Sequence, residues 1–112
     1  MTWASRSEPD ESGRTSPEEL IAAAHASCFS MALSHGLAEA GHTPERLDVS
    51  ATVTLSLDGG PKVTSSHLTV RGTVPGLDAD GFAQAAQGAA DNCPISGALK
   101  GNLEISVDAQ LV

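Results

Sequence analysis

Between Leu47 and Leu57 apolar and polar residues alternate without interruption. Leu47, Val49, Ala51, Val53, Leu55 and Leu57 fall on one face, and Asp48, Ser50, Thr52, Thr54 and Ser56 on the other. A period of two is that of a strand with one covered face. Asp58-Gly59-Gly60-Pro61 then reads as a turn. A second alternating run follows, with Leu68, Val70 and Val74 opposite His67, Thr69, Arg71 and Thr73. Val63 is out of phase with it, which predicts a bulge or the strand's start near Thr64–Ser66. The two runs predict an antiparallel hairpin. A third run, Leu103, Ile105, Val107, Ala109 and Leu111 against polar neighbours, predicts a closing strand.

Helical signals occupy the remainder. Ser16 suits an N-cap, Pro17 the first helical position, and Glu19 the far end of a capping box. A helix is expected from Pro17 to about Ala40, stopped by Gly41. Its apolar residues, Leu20, Ile21, Phe29, Met31, Leu33 and Leu37, spread around the axis, and between them lie small ones: Ala22, Ala23, Ala24, Ala26, Ser27, Ser30, Ala32, Ser34 and Gly36. A helix apolar on most sides is a buried helix. One short domain cannot cover it alone, so part of its cover is expected from a second subunit. After the Pro75-Gly76 break, Asp78 caps a second helix through about Asp91, with Phe82, Ala85, Ala86 and Ala89 inward. Pro94 starts a short helix through Leu99, stopped by Lys100-Gly101. The order helix, strand, strand, helix, short helix, strand defines an α+β layered domain.

The 112 residues allow one domain, 1–112, in which residues 1–15 have the composition of a loop. A net charge of −8 argues against nucleic-acid binding, which needs a basic patch, and against anionic lipid. Glu8, Asp10, Glu11 and Glu18 in the first eighteen residues exclude a signal peptide at this N-terminus. His25, Ser27, Ser30, Ser34 and His35 interrupt the longest apolar stretch, so no membrane span is expected and the cytoplasm is the expected compartment.

Two cysteines are too few for a disulfide scaffold or a four-thiolate zinc site, and no Cys or His pair has metal-ligand spacing. A free cysteine is often only a small buried hydrophobe. Cys28, however, lies among small residues that leave room for a substrate. Cys93 directly precedes Pro94, an N-cap position where free N–H groups and the helix dipole favour a thiolate. The pair is 65 residues apart, so it is not a C-x-x-C motif, and spacing alone makes it a weak redox signal.

The longer segments say more. Residues 16–34, SPEELIAAAHASCFSMALS, and 92–99, NCPISGAL, resemble the OsmC/Ohr family of thiol-dependent hydroperoxide reductases. The Ala-His-Ala-Ser-Cys-Phe-Ser-Met wording is closer to the OsmC branch, and the resemblance runs from about Trp3 to Val112. It implies an OsmC-like fold, with buried central helices packed on an antiparallel sheet in an intertwined homodimer. It implies that Cys28 is the peroxidatic cysteine and Cys93 the resolving one. Glu18 and Arg6 then belong to the active-site network, with Arg14 the rival to Arg6, because Ser7 stands where the family has an aromatic residue. The implied substrate is an organic hydroperoxide, the implied reductant a lipoyl-type dithiol, and no cofactor is required. Family members are longer and begin with extra strands, which the resemblance leads one to expect are missing from this sequence.

That chemistry is physically coherent. A thiolate attacks a peroxide oxygen, so Cys28 needs a lowered pKa. Mid-helix, it gains nothing from its own helix terminus; a guanidinium held by Glu18 would supply the charge. Glu18 and Cys28 are ten residues apart on one helix, about 15 Å, so the glutamate reaches the thiol only through an arginine or across a subunit boundary. Other residues have plainer roles. His25, one turn before Cys28, reads first as a hydrogen-bonded helix histidine and second as a group that orients the thiol. Trp3 and Phe29 suit a peroxide pocket or the core equally. The competing functions are a non-catalytic apolar-ligand module with structural cysteines, and a redox site in which Cys93 attacks first.

Overall fold

A computed structural model describes residues 16–112. The elements are α1 (Pro17–Glu39), β1 (Arg46–Ser56), β2 (Lys62–Thr73), α2 (Ala79–Asn92), α3 (Pro94–Leu99) and β3 (Glu104–Leu111). Every predicted element is present, with boundaries shifted by a residue or two. The expected N-terminal loop, Trp3, Arg6, Ser7 and Arg14 lie outside the described residues.

The start of α1 follows from its capping box. The Glu19 N–H donates to Ser16 Oγ at 3.2 Å, and the Ser16 N–H donates to Glu19 Oε2 at 3.2 Å. At the other end Gly41 takes φ 85°, a left-handed conformation, and the chain reverses through a His42 N–H bond to the Leu37 carbonyl at 2.8 Å.

β1 and β2 pair antiparallel from Arg46 opposite Thr73 to Ser56 opposite Lys62. Thr54 faces Ser65 and Leu55 faces Val63, so Thr64 is the extra residue of a bulge. That bulge is why Val63 falls out of phase in the sequence. Leu57 lies past the end of β1 and is exposed, so it does not extend the apolar face.

One expectation is corrected. The sheet is not wholly antiparallel: its order is β1-β2-β3, and β3 runs parallel to β2, from Ser65 beside Glu104 to Gly72 beside Leu111. Between them α2 and α3 form a crossover that carries the chain back along the sheet, as a parallel neighbour requires. Strand periodicity reports faces and not direction.

The helices cover one side of the sheet. Phe29, Leu33 and Leu37 of α1, Leu68 and Val70 of β2, Val74, and Phe82, Ala86, Ala89 and Ala90 of α2 form the core. The Phe82 ring lies directly over Gly72, where a side chain would collide with it. α1 buries a single stripe, Glu18, His25, Phe29, Leu33 and Leu37. It is long and apolar enough by composition to cross a bilayer, and 22% of its most apolar stretch is buried. Here it packs against β1 and α2, and Leu20 and Met31 stay 51% and 74% exposed. Within one chain it is therefore less buried than its composition predicts.

Candidate active site

The fold brings the two distant cysteines together. Cys28 sits mid-way along α1 and is half-buried; Cys93 is the N-cap of α3 and is 1% exposed. Both are free, and their thiols lie close enough to interact, with the proton held on the Cys28 side. The contact exists because α3 starts against the middle of α1, where small residues admit it.

The two thiols differ in electrostatics. Burial pushes the Cys28 thiol up, and donating to Cys93 holds its proton further; the Ile95 N–H opposes this, and charge on Cys93 adds to the rise. Burial acts upward on Cys93 too, but donors outweigh it: the Cys28 S–H, the Ser96 N–H and side chain, and the Ile95 N–H. The Cys93 sulfur makes no side-chain cap bond, so the Ile95 and Ser96 N–H groups act on it as nearby dipoles. Thiols this close ionise as a pair. Among the described residues the single negative charge is favoured on the Cys93 side, and no described cation contributes to either thiol.

Sequence reasoning put Cys93 at a helix start, where the structure has it, and missed one feature of Cys28. The helix start that helps Cys28 is not its own: the Ile95 N–H, one residue past Pro94, acts on both sulfurs. Glu18 is 5% exposed in the first turn of α1. Phe29 belongs to the core rather than to a pocket.

Behind the thiols lies a buried polar chain. His25 is fully buried, with Nδ1 2.7 Å from Ser66 Oγ on β2 and Nε2 2.8 Å from Ser96 Oγ on α3. Burial lowers its pKa, so the ring is held neutral. The plainer reading of His25 as a hydrogen-bonded histidine is borne out, but its partners are 41 and 71 residues away and no local pattern announces them. Ser96 also borders a cleft of about 270 Å³ lined by Gln87, Ala90, Asp91 and Lys100 among others. Neither cysteine lines that cleft, so it is not where a substrate would meet the thiols.

The fold and the site define a class: an α+β domain that joins two cysteines from separate helices into one thiol pair. The comparisons name the family. Residues 9–108 match the family model of OsmC-like proteins, and the chain belongs to that family. It is 50% identical over 98 residues to the peroxiredoxin OsmC of Escherichia coli, covering 87% of this chain and 67% of that protein. It is 32% identical over 102 residues to an organic hydroperoxide resistance protein-like 1 of Staphylococcus epidermidis, covering 88% and 71%. The crystal structure of the organic hydroperoxide resistance protein OhrB of Bacillus subtilis superimposes with a TM-score of 0.74 at 30% identity, over 88% of this chain and 73% of that one. The higher identity lies on the OsmC side.

Proposed function

We propose that this chain is a thiol peroxidase that reduces organic hydroperoxides through Cys28 and Cys93. Membership in a family with peroxiredoxin and hydroperoxide-resistance relatives supports the peroxidase class. The observation that carries the mechanism is the contact between sulfurs 65 residues apart in sequence. Access orders their roles: Cys28 is half-exposed and Cys93 sealed, so a peroxide reaches Cys28 first.

Ionised Cys28 attacks the terminal peroxide oxygen, the O–O bond breaks, and the alcohol leaves with a proton. Cys28 is left as a sulfenic acid. Cys93 condenses with it, forming the disulfide and releasing water. A dithiol, of lipoyl type, then exchanges with the disulfide and restores both thiols. The charge that moves ionisation from Cys93 to Cys28 is assigned to Arg6, with Arg14 the rival, held by the buried Glu18 carboxylate. A carboxylate buried so deeply requires such company.

The working unit in this reading is a homodimer in the cytoplasm. The uncovered sides of α1, with Leu20 and Met31, and an apolar groove of about 260 Å³ between α1 and α2 support a second copy as cover. Ala32, Gly36, Ala85 and Gly88 line that groove and permit close backbone approach.

Intact mass after one equivalent of cumene hydroperoxide tests the chemistry. Loss of two hydrogens is expected. An unchanged mass, with both thiols still titratable, would overturn the reading.

A further inference from the structure

The peroxidase chemistry just described leaves His25 idle, although its ring is fully buried one turn before Cys28. It bridges three elements: α1, which carries it, β2 through Ser66, and α3 through Ser96. Ser66 is fully buried and Ser96 4% exposed. Ser96 stands in the first turn of α3, the helix that Cys93 caps, and its side chain favours the ionised form of the Cys93 sulfur. We propose that His25 is a positioning residue for Cys93: anchored on Ser66, its ring holds the Ser96 hydroxyl on the Cys93 sulfur and keeps that sulfur poised for disulfide formation.

Counting donors gives the chain a direction. A neutral imidazole has one N–H and one lone pair. When Ser96 O–H points at an ionised Cys93, its oxygen accepts from Nε2–H, and bare Nδ1 accepts from the Ser66 hydroxyl. Every donor then has an acceptor. When Cys93 is a thiol donating to Ser96, or is tied up in a disulfide, the Ser96 hydroxyl turns to Nε2 and Nδ1–H donates to Ser66. The tautomer of His25 therefore follows the state of a sulfur it does not touch.

The consequence for turnover rests on the peroxidase reading. Cys28–SOH and Cys93–SH give the disulfide and water. The S–S bond forms and the S–O bond breaks; the Cys93 sulfur is oxidised and the Cys28 sulfur reduced. The hydroxyl leaves with the Cys93 thiol proton. A donor fixed on the Cys93 sulfur stabilises its anionic form as that proton departs.

The test needs neither peroxide nor dithiol, so its failure and that of the peroxidase reading are distinguishable. In a Cys28→Ser background, the pH profile of ultraviolet thiolate absorbance reports Cys93 alone and needs no reagent to enter its sealed site. Ser96→Ala should lower the thiolate fraction near neutral pH by about tenfold, the value of a hydrogen bond to a charged acceptor. His25→Gln, whose amide can still bridge two hydroxyls, should lower it less. Adding His25→Phe to Ser96→Ala should cost nothing further. Additive losses, or an unchanged profile in Ser96→Ala, would overturn the proposal. Should the His25→Phe protein not fold, the ¹⁵N shifts of His25 in the reduced Cys28→Ser chain, where Cys93 is the one thiol, decide. They should move from the Nδ1–H to the Nε2–H pattern as Cys93 ionises, and a fixed tautomer would overturn the proposal.

Discussion

Cys28 and Cys93 meet across two different helices, and the Ile95 N–H at the start of α3 favours the ionised form of both. A single N–H cannot fully serve two thiolates, so the pair holds one negative charge and one proton. The cysteines should therefore fail in different ways. Cys28→Ser should abolish peroxide consumption. Cys93→Ser should allow one turnover and then stall as Cys28 oxidises beyond the sulfenic acid, seen as added oxygen in the intact mass. Normal turnover in Cys28→Ser would contradict the assigned roles.

Charge location gives the second prediction. Burial and the Cys93 contact hold the Cys28 proton in place, so a cation must reverse that preference for Cys28 to attack. Arg6→Gln should leave at least about tenfold less Cys28 thiolate at neutral pH, as removal of a close opposite charge does. Glu18→Gln should act in the same direction and more weakly, because it loosens the arginine without removing it. Arg14→Gln is the control. Stopped-flow rates of Cys28 oxidation against pH would separate the three, and an effect confined to Arg14→Gln would transfer the role to that residue.

The elements were legible because each carries a local signature. Ser16-Pro17-Glu18-Glu19 announces the start of α1, strict alternation announces β1, and Val63 out of phase announces the bulge at Thr64. The parallel setting of β3 was not legible, since alternation is the same in either direction. Of the candidate site, Cys28 and Cys93 could be named from their segments, as could Glu18, which is proposed to belong to it. The Ser66–His25–Ser96 chain could not: alternation puts Ser66 in phase with Leu68 and Val70, but nothing local pairs it with His25, and Ser96 in a short helix looks like a solvated serine until the fold buries it.

Close packing makes Gly72 a stability probe. A Cβ there would stand 2.6 Å from Phe82 Cζ and 3.0 Å from Leu47 Cδ2. Phe82 is fully buried, so its ring can yield only by displacing its neighbours. Gly72→Ala should cost about 1–3 kcal/mol, the usual range for overpacking. Urea denaturation would measure it as a lower midpoint at unchanged slope. An unaltered midpoint would mean that the ring moves freely.

The start of α1 fixes where Glu18 and, further along, Cys28 are delivered. Ser16→Ala removes the acceptor for the Glu19 N–H and should destabilise by about 1 kcal/mol. Glu19→Ala should lose part of the same interaction, since the two bonds of the capping box are reciprocal. The double variant should therefore lose less than the sum. Thermal or urea unfolding of the three proteins tests this, and strict additivity would show that the box does not act as a unit.

His25 also sets the acid limit of stability. Burial lowers its pKa in the folded chain, so the folded state binds fewer protons there than the unfolded state does. Stability from the neutral ring is complete above the unfolded value of about 6.5. It is lost progressively as pH falls below that value toward the lowered folded pKa, because protonation then favours the unfolded chain. Protonating the ring would also break the chain, since an imidazolium has no lone pair for a Ser66 or Ser96 hydroxyl. The urea midpoint should fall between pH 7 and pH 5 in the native protein. In His25→Gln that fall should be shallower, because the residue no longer titrates, even though its midpoint at pH 7 is lower. Carboxylates contribute to the slope in both proteins, so the difference between the two slopes isolates His25. Equal slopes would mean that His25 binds its proton as readily folded as unfolded.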